Sequence, residues 1–120
     1  MSNRKPRSAK PNGWVDVGPI EAIPVLGARV VKTQAGCIAV FRTAAEEAFA
    51  LDDRCPHKGG PLSQGIVHGR AVTCPLHNWI IDLETGAARG ADKGHVRSIP
   101  LKVENGRILL DARRLALVPA

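Results

Sequence analysis

Two short segments, Cys55-Pro56-His57 and Cys74-Pro75-Leu76-His77, dominate this 120-residue chain, with sixteen residues between His57 and Cys74. Thiolate sulfur and imidazole nitrogen are the soft and borderline ligands that transition metals take. The spacing is asymmetric, C-x-H in the first segment and C-x-x-H in the second. In an extended C-x-H loop, residues two apart point the same way and can reach two neighbouring metal ions. A single tetrahedral ion is more often held by pairs separated by two to four residues. The pattern therefore favours a two-metal centre in which each loop gives a thiolate to one ion and an imidazole to the other. A structural zinc, or chance coincidence of two short fragments, is the alternative. Either half alone is weak. Both together, each with Pro after its Cys and each in a Gly/Pro-rich loop, are a specific signal.

Two His replacing two Cys on one iron is the ligand set of a Rieske [2Fe–2S] centre, and one-electron transfer is the chemistry it implies. The candidate ligands are Cys55 and Cys74 on an inner iron and His57 and His77 on an outer one. Two ferric ions, two sulfides and two thiolates with neutral imidazoles sum to zero, against minus two for a four-cysteine centre. An electron enters the neutral centre more readily, so such centres lie at about −150 to +300 mV rather than roughly −400 mV. Gly59, Gly60 and Gly65 let backbone come close to the sulfides. Pro56 and Pro75 fix φ beside the ligating Cys and remove an N–H.

The length fits one domain. The formal charge of +6 suggests nucleic acid until it is located. Of 17 Lys and Arg, Arg4, Lys5, Arg7 and Lys10 lie in the first ten residues, leaving 13 against 11 acidic residues in the remainder. Residues 1–13 read as a disordered basic tail with no aromatic residues to stack on bases, so no nucleic-acid partner is expected. No apolar run is long enough for a membrane span or secretory signal. A cytoplasmic protein with no membrane partner is expected. Two of the three Cys are committed to the loops, which leaves no pair for a disulfide. Cys37 is expected to be a small buried core residue. His68 and His95, without partners at ligand spacing, read as surface histidines.

From Trp14 the chain consists of short β-rich pieces divided by turn residues. Strands are predicted at 14–17, 29–33, 37–42, 48–51, 66–67, 71–73, 80–82, 96–103 and 107–110. Turns are predicted at Gln34-Ala35-Gly36 and Ala44–Ala48, and Glu104-Asn105-Gly106 carries the strong Asn-Gly hairpin signal. The fold class is all-β, an antiparallel β-sandwich holding an inserted subdomain of two Gly/Pro-rich loops. The expected domain spans 14–112, with the cluster-binding insertion at about 52–94 and a C-terminal tail over 113–120.

Cys55-Pro56-His57-Lys58-Gly59-Gly60-Pro61-Leu62-Ser63-Gln64-Gly65, with Cys74-Pro75-Leu76-His77-Asn78-Trp79 and Asp82-Leu83-Glu84-Thr85-Gly86, resembles the small subunit of assimilatory NAD(P)H-dependent nitrite reductase. Gly90-Ala91-Asp92 and Ile99–Val103 match in character, and the resemblance covers residues 14–110. It implies a Rieske-like β fold, one [2Fe–2S] cluster, and a large-subunit partner carrying flavin, an iron–sulfur cluster and siroheme. That complex reduces nitrite to ammonia, and this chain would be an electron-transfer subunit, not catalytic by itself. Positions where respiratory Rieske proteins place a loop disulfide hold Gly60 and Leu76, and the chain has no Tyr to donate to a sulfur. Both point to the low end of the potential range. A Rieske ferredoxin serving an aromatic-ring dioxygenase shares the ligand spacing, but such proteins usually have Gly where this chain has Asn78-Trp79. A non-redox docking subunit braced by a structural metal is the alternative of another class. Lys58 and Trp79 are candidates for a partner-contact rim, with Trp79 preferred as packing beneath the loop.

Overall fold

The computed structural model describes residues 14–33, 36–55, 60–75, 78–89 and 94–111. The basic tail at 1–13 and the C-terminal tail at 113–120 lie outside the described residues, as do His57, Lys58 and His77. The architecture is all-β and antiparallel, as expected. Sheet A has the order β1–β10–β9, formed by Trp14–Pro19, Arg107–Asp111 and Leu101–Glu104. Sheet B has the order β2–β3–β4–β8, from Ala28–Thr33, Gly36–Arg42, Ala48–Asp52 and Ser98–Ile99. Sheet C, from β5 (Ile66–His68), β6 (Ala71–Thr73) and β7 (Ile80–Asp82), lies wholly between β4 and β8 in the chain.

Sheet B is the middle layer, and β3 shows why. Ile38, Ala39, Val40 and Phe41 are all buried, so the strand is covered on both faces. Strands of that kind read as continuous apolar runs instead of alternating ones. Ile38 and Val40 pack with Ile108 and Leu110 of sheet A, closing the sandwich. Ala39 and Phe41 face the opposite way and pack with Val67, Val72 and Ile81 of sheet C. The inserted sheet thus rests on a second core built on the back of the sandwich. Phe41 is fully buried in that core. Phe41→Ala is expected to destabilise the fold by about 3–5 kcal/mol, read as a lower urea midpoint with an unchanged slope.

Two expectations need correction. Cys37 is exposed, not buried. It shares a face with Ala39 and Phe41 but sits near the hairpin end of β3, opposite Lys32, where no layer covers it. The single strand predicted over 96–103 is divided at Pro100 into β8, which pairs with β4, and β9, which pairs with β10. Proline has no N–H for a ladder, and the chain changes sheets there while the Pro100 carbonyl accepts the Asp111 N–H at 3.0 Å. The Asn-Gly hairpin forms as expected, with φ of 53° at Asn105 and 76° at Gly106, both left-handed as a type I′ turn requires. The turn near Ala44 is held by Thr43, whose Oγ1 accepts the N–H groups of Ala45 and Glu47.

Candidate metal centre

The chain leaves sheet B at β4 and returns at β8, and these two strands are hydrogen-bonded neighbours, with Ala50 opposite Ile99 and Leu51 opposite Ser98. The neck of the insertion is therefore closed side by side. It is tied further by Asp52 N–H to the Arg97 carbonyl at 3.0 Å and by Arg97 Nη2 to Asp52 Oδ1 at 2.9 Å. Sheet C is fastened to β4 at a second point. Arg70, in the β5–β6 turn, reaches Glu47 at 3.3 Å and Glu84 at 3.5 Å and lies over the Phe49 ring at 5.3 Å. Pairs this exposed hold orientation more than they add stability.

Cys55 follows β4 of sheet B and Cys74 follows β6 of sheet C. Both are buried, at 2% and 0% exposure, within the one apolar cluster that also holds Leu62, Val67 and Val72. Neither is in a disulfide. Their loops close in the same manner. The Cys55 N–H donates to the Gly60 carbonyl at 2.7 Å, and the Cys74 N–H donates to the Trp79 carbonyl at 2.7 Å. Each cysteine thus begins a six-residue loop shut by its own amide, and each loop contains one candidate histidine. Asn78 takes φ 57° to make the second closure, a left-handed backbone that Asn tolerates better than most residues. Trp79 packs against the shared core, the preferred sequence reading of that residue. Two buried thiols brought into one cluster from two matched loops fit the sulfur half of a Rieske ligand set. When bound, such a cluster supplies a one-electron carrier of raised potential.

Further contacts set the loops. Gly65 closes the first ligand region against the second. A Cβ there would stand 2.3 Å from the Thr73 carbonyl oxygen, directly before Cys74. Asp53, two residues before Cys55, accepts both the N–H and the hydroxyl of Ser63. Sequence reading missed this pair because ten residues separate the partners and neither is a ligand type. His68 and His95 are exposed, as expected, with His68 Nε2 2.6 Å from Thr73 Oγ1.

Asp82 organises the turn after β7. Burial pushes its carboxyl up, but the N–H of Thr85, the guanidinium of Arg89 and the N–H of Glu84 together outweigh that and hold it below the usual carboxylate value. Its folded-state affinity for a proton is below that of the unfolded chain, so its contribution to stability is complete above about pH 4 and is lost as pH falls further. Asp82→Asn is expected to flatten this acid limb, measured as the melting temperature between pH 5 and pH 2.5 against the parent protein. An unchanged limb would assign the acid sensitivity to other groups.

The Rieske [2Fe-2S] domain family model matches residues 13–101. The chain is 32% identical to the ferredoxin component of the naphthalene 1,2-dioxygenase/salicylate 5-hydroxylase systems from Ralstonia sp., over 81% of this chain and 93% of that protein. It is 38% identical to 4beta-methylsterol monooxygenase from Methylococcus capsulatus over 61% of this chain, but spans only 22% of that protein's length. In three dimensions it superposes on a chain described as an NADH-dependent nitrite reductase small subunit from Mycobacterium tuberculosis. The TM-score is 0.72 at 24% identity, covering 81% of this chain and 92% of the other; at that identity the likeness speaks for the fold alone. Among the described residues no helix is long and apolar enough to cross a membrane. The cofactor of this family is a single Rieske-type [2Fe–2S] cluster, and its chemistry is electron transfer. Two matched loops carrying buried cysteines on a three-layer β scaffold, together with the family match across most of the chain, make this protein a member of the Rieske [2Fe–2S] domain family.

Proposed function

We propose that this chain is the electron-transfer small subunit of an assimilatory NAD(P)H-dependent nitrite reductase. In that role Cys55 and Cys74 hold the inner iron and His57 and His77 the outer iron of its cluster. The observation that carries the reading is the second loop. Asn78-Trp79 stands where ring-dioxygenase ferredoxins usually have Gly, and the loop is built around that pair. Asn78 supplies the left-handed residue, and Trp79 both closes the loop through its carbonyl and packs on the core. The Lys58-Gly59-Gly60-Pro61 run supports the same reading. The partner is then a cytoplasmic large subunit carrying flavin, an iron–sulfur cluster and siroheme, and the working unit of this chain is the domain at 14–112 with its insertion at about 52–94.

A second reading rests on a specific observation, the alignment to a dioxygenase-system ferredoxin component over 93% of that protein's length. One experiment separates them. The tagged chain is purified from its own host and its bound partner identified, and ammonium formed from nitrite with NADH or NADPH is then measured with and without the chain. Co-purification of a siroheme protein, with ammonium formation dependent on this chain, supports the nitrite reductase assignment. Retention of an oxygenase instead, or nitrite reduction indifferent to the chain, overturns it in favour of the ferredoxin.

A further inference from the structure

We propose that Asp53 is a positioning residue of the cluster site and that its uncompensated carboxylate holds the reduction potential of the centre down. The inference rests on the assignment of Cys55 as a cluster ligand.

Asp53 is fixed from two sides. Its N–H donates to the Cys37 carbonyl of β3 at 2.9 Å, which ties it to the middle sheet. Its side chain reaches across the first ligand loop, where Oδ1 accepts the Ser63 N–H at 2.7 Å and Oδ2 accepts the Ser63 hydroxyl at 2.8 Å. Ser63 lies in the short 3₁₀ turn Leu62–Gln64, whose Leu62 is buried in the same cluster as both cysteines. The first loop is therefore closed twice, inside by Cys55 and Gly60 and outside by Asp53 and Ser63.

The second observation is electrostatic. The other described carboxylates of the insertion each face a guanidinium: Asp52 pairs with Arg97, Asp82 with Arg89, and Glu84 with Arg70. Among the described residues Asp53 has only the two neutral donors of Ser63 and no cation within ion-pair distance. Neutral donors immobilise a carboxylate without cancelling its charge. Asp53 is partly buried, where screening by salt is weaker than at the surface. A fixed negative charge two residues from a cluster ligand opposes arrival of an electron.

The test is the midpoint potential of the purified full chain, followed by EPR through a redox titration. Asp53→Asn keeps the size and one acceptor oxygen of the side chain and removes the charge. The expected result is a retained cluster whose potential rises by at least the ~59 mV that corresponds to a tenfold change in a one-electron equilibrium. Ser63→Ala keeps the charge, and its cluster is expected to stay within threefold of the parent in the same equilibrium. If Asp53→Asn does not hold the cluster, Asp53→Ser, whose hydroxyl can accept the Ser63 N–H, takes its place with the same expectation. A retained cluster with unmoved potential overturns the proposal. So does failure of both uncharged variants to load while Ser63→Ala loads, because Asp53 would then serve folding alone. A parent protein without a two-iron signal would instead remove the ligand assignment beneath it.

Discussion

Cys74→Ser is expected to reduce bound iron from two per chain to background and to abolish the reduced-state EPR signal. Oxygen is a harder donor than sulfur and holds an iron–sulfur cluster poorly. Cys74 is fully buried beside Val72 and Ile81, and its amide donates to the Trp79 carbonyl. Taking a hydroxyl out of water also carries a desolvation penalty. Ligand binding to the folded state alone stabilises it, so loss of the cluster adds to the fall in melting temperature. Cys55→Ser should behave alike, since both cysteines are buried and each closes its loop through its own amide. Exposed Cys37 provides the control, and Cys37→Ser should keep both irons and the signal. Two irons and an unchanged spectrum in Cys74→Ser would refute the ligand assignment.

Gly65→Ala should be nearly as damaging, although it removes nothing. The added methyl group would lie 2.3 Å from the Thr73 carbonyl oxygen, 2.9 Å from Val72 Cγ2 and 3.1 Å from the Leu62 carbonyl oxygen. Two of these three atoms are backbone. Thr73 cannot step aside, because it is paired with Ile66 on one side and Ile80 on the other. The backbone of Gly65 has φ −82°, open to any residue, so the effect is steric and not conformational. Overpacking costs about 1–3 kcal/mol and occasionally more, a clash with backbone belongs at the upper end, and displacement of Thr73 is passed directly to Cys74. Reduced iron content should therefore accompany a lower urea midpoint. Gly69→Ala is the comparison. It meets nothing within 4 Å but has φ 58°, and should cost only the left-handed penalty of about 1–2 kcal/mol with iron content preserved. Equal stability of Gly65→Ala and the parent would show that the loops are not in the tight contact described.

Much of this protein is legible residue by residue because the signals are local. The ligand pattern, the Asn105-Gly106 turn and the short β-rich pieces depend on neighbours a few positions apart, which a linear reading sees directly. The expectation of a Rieske centre followed from the same local motifs and agrees with the Rieske domain match across residues 13–101. Cys37 shows where that reading ends. Its neighbours Ile38 to Phe41 are all buried, and only the extent of the layer above β3 leaves the cysteine exposed. The strand expected over 96–103 ran through Pro100, and that β8 and β9 instead join different sheets depends on which strands stand alongside.

The sequence by itself determined the chemistry: four ligand-type residues at Rieske spacing, in loops supplied with the glycines and prolines such loops need. Tertiary structure alone decided how the two cysteines share one buried core, how β4 and β8 close the neck, and that Asp53 is fixed by Ser63 while other carboxylates meet arginines. The chemical type of a candidate ligand is a property of side chain and short spacing, which the order of residues carries directly. Burial, nested loop closure and the sign of the surrounding charge arise from contacts between distant segments, and those exist only once the layers have packed.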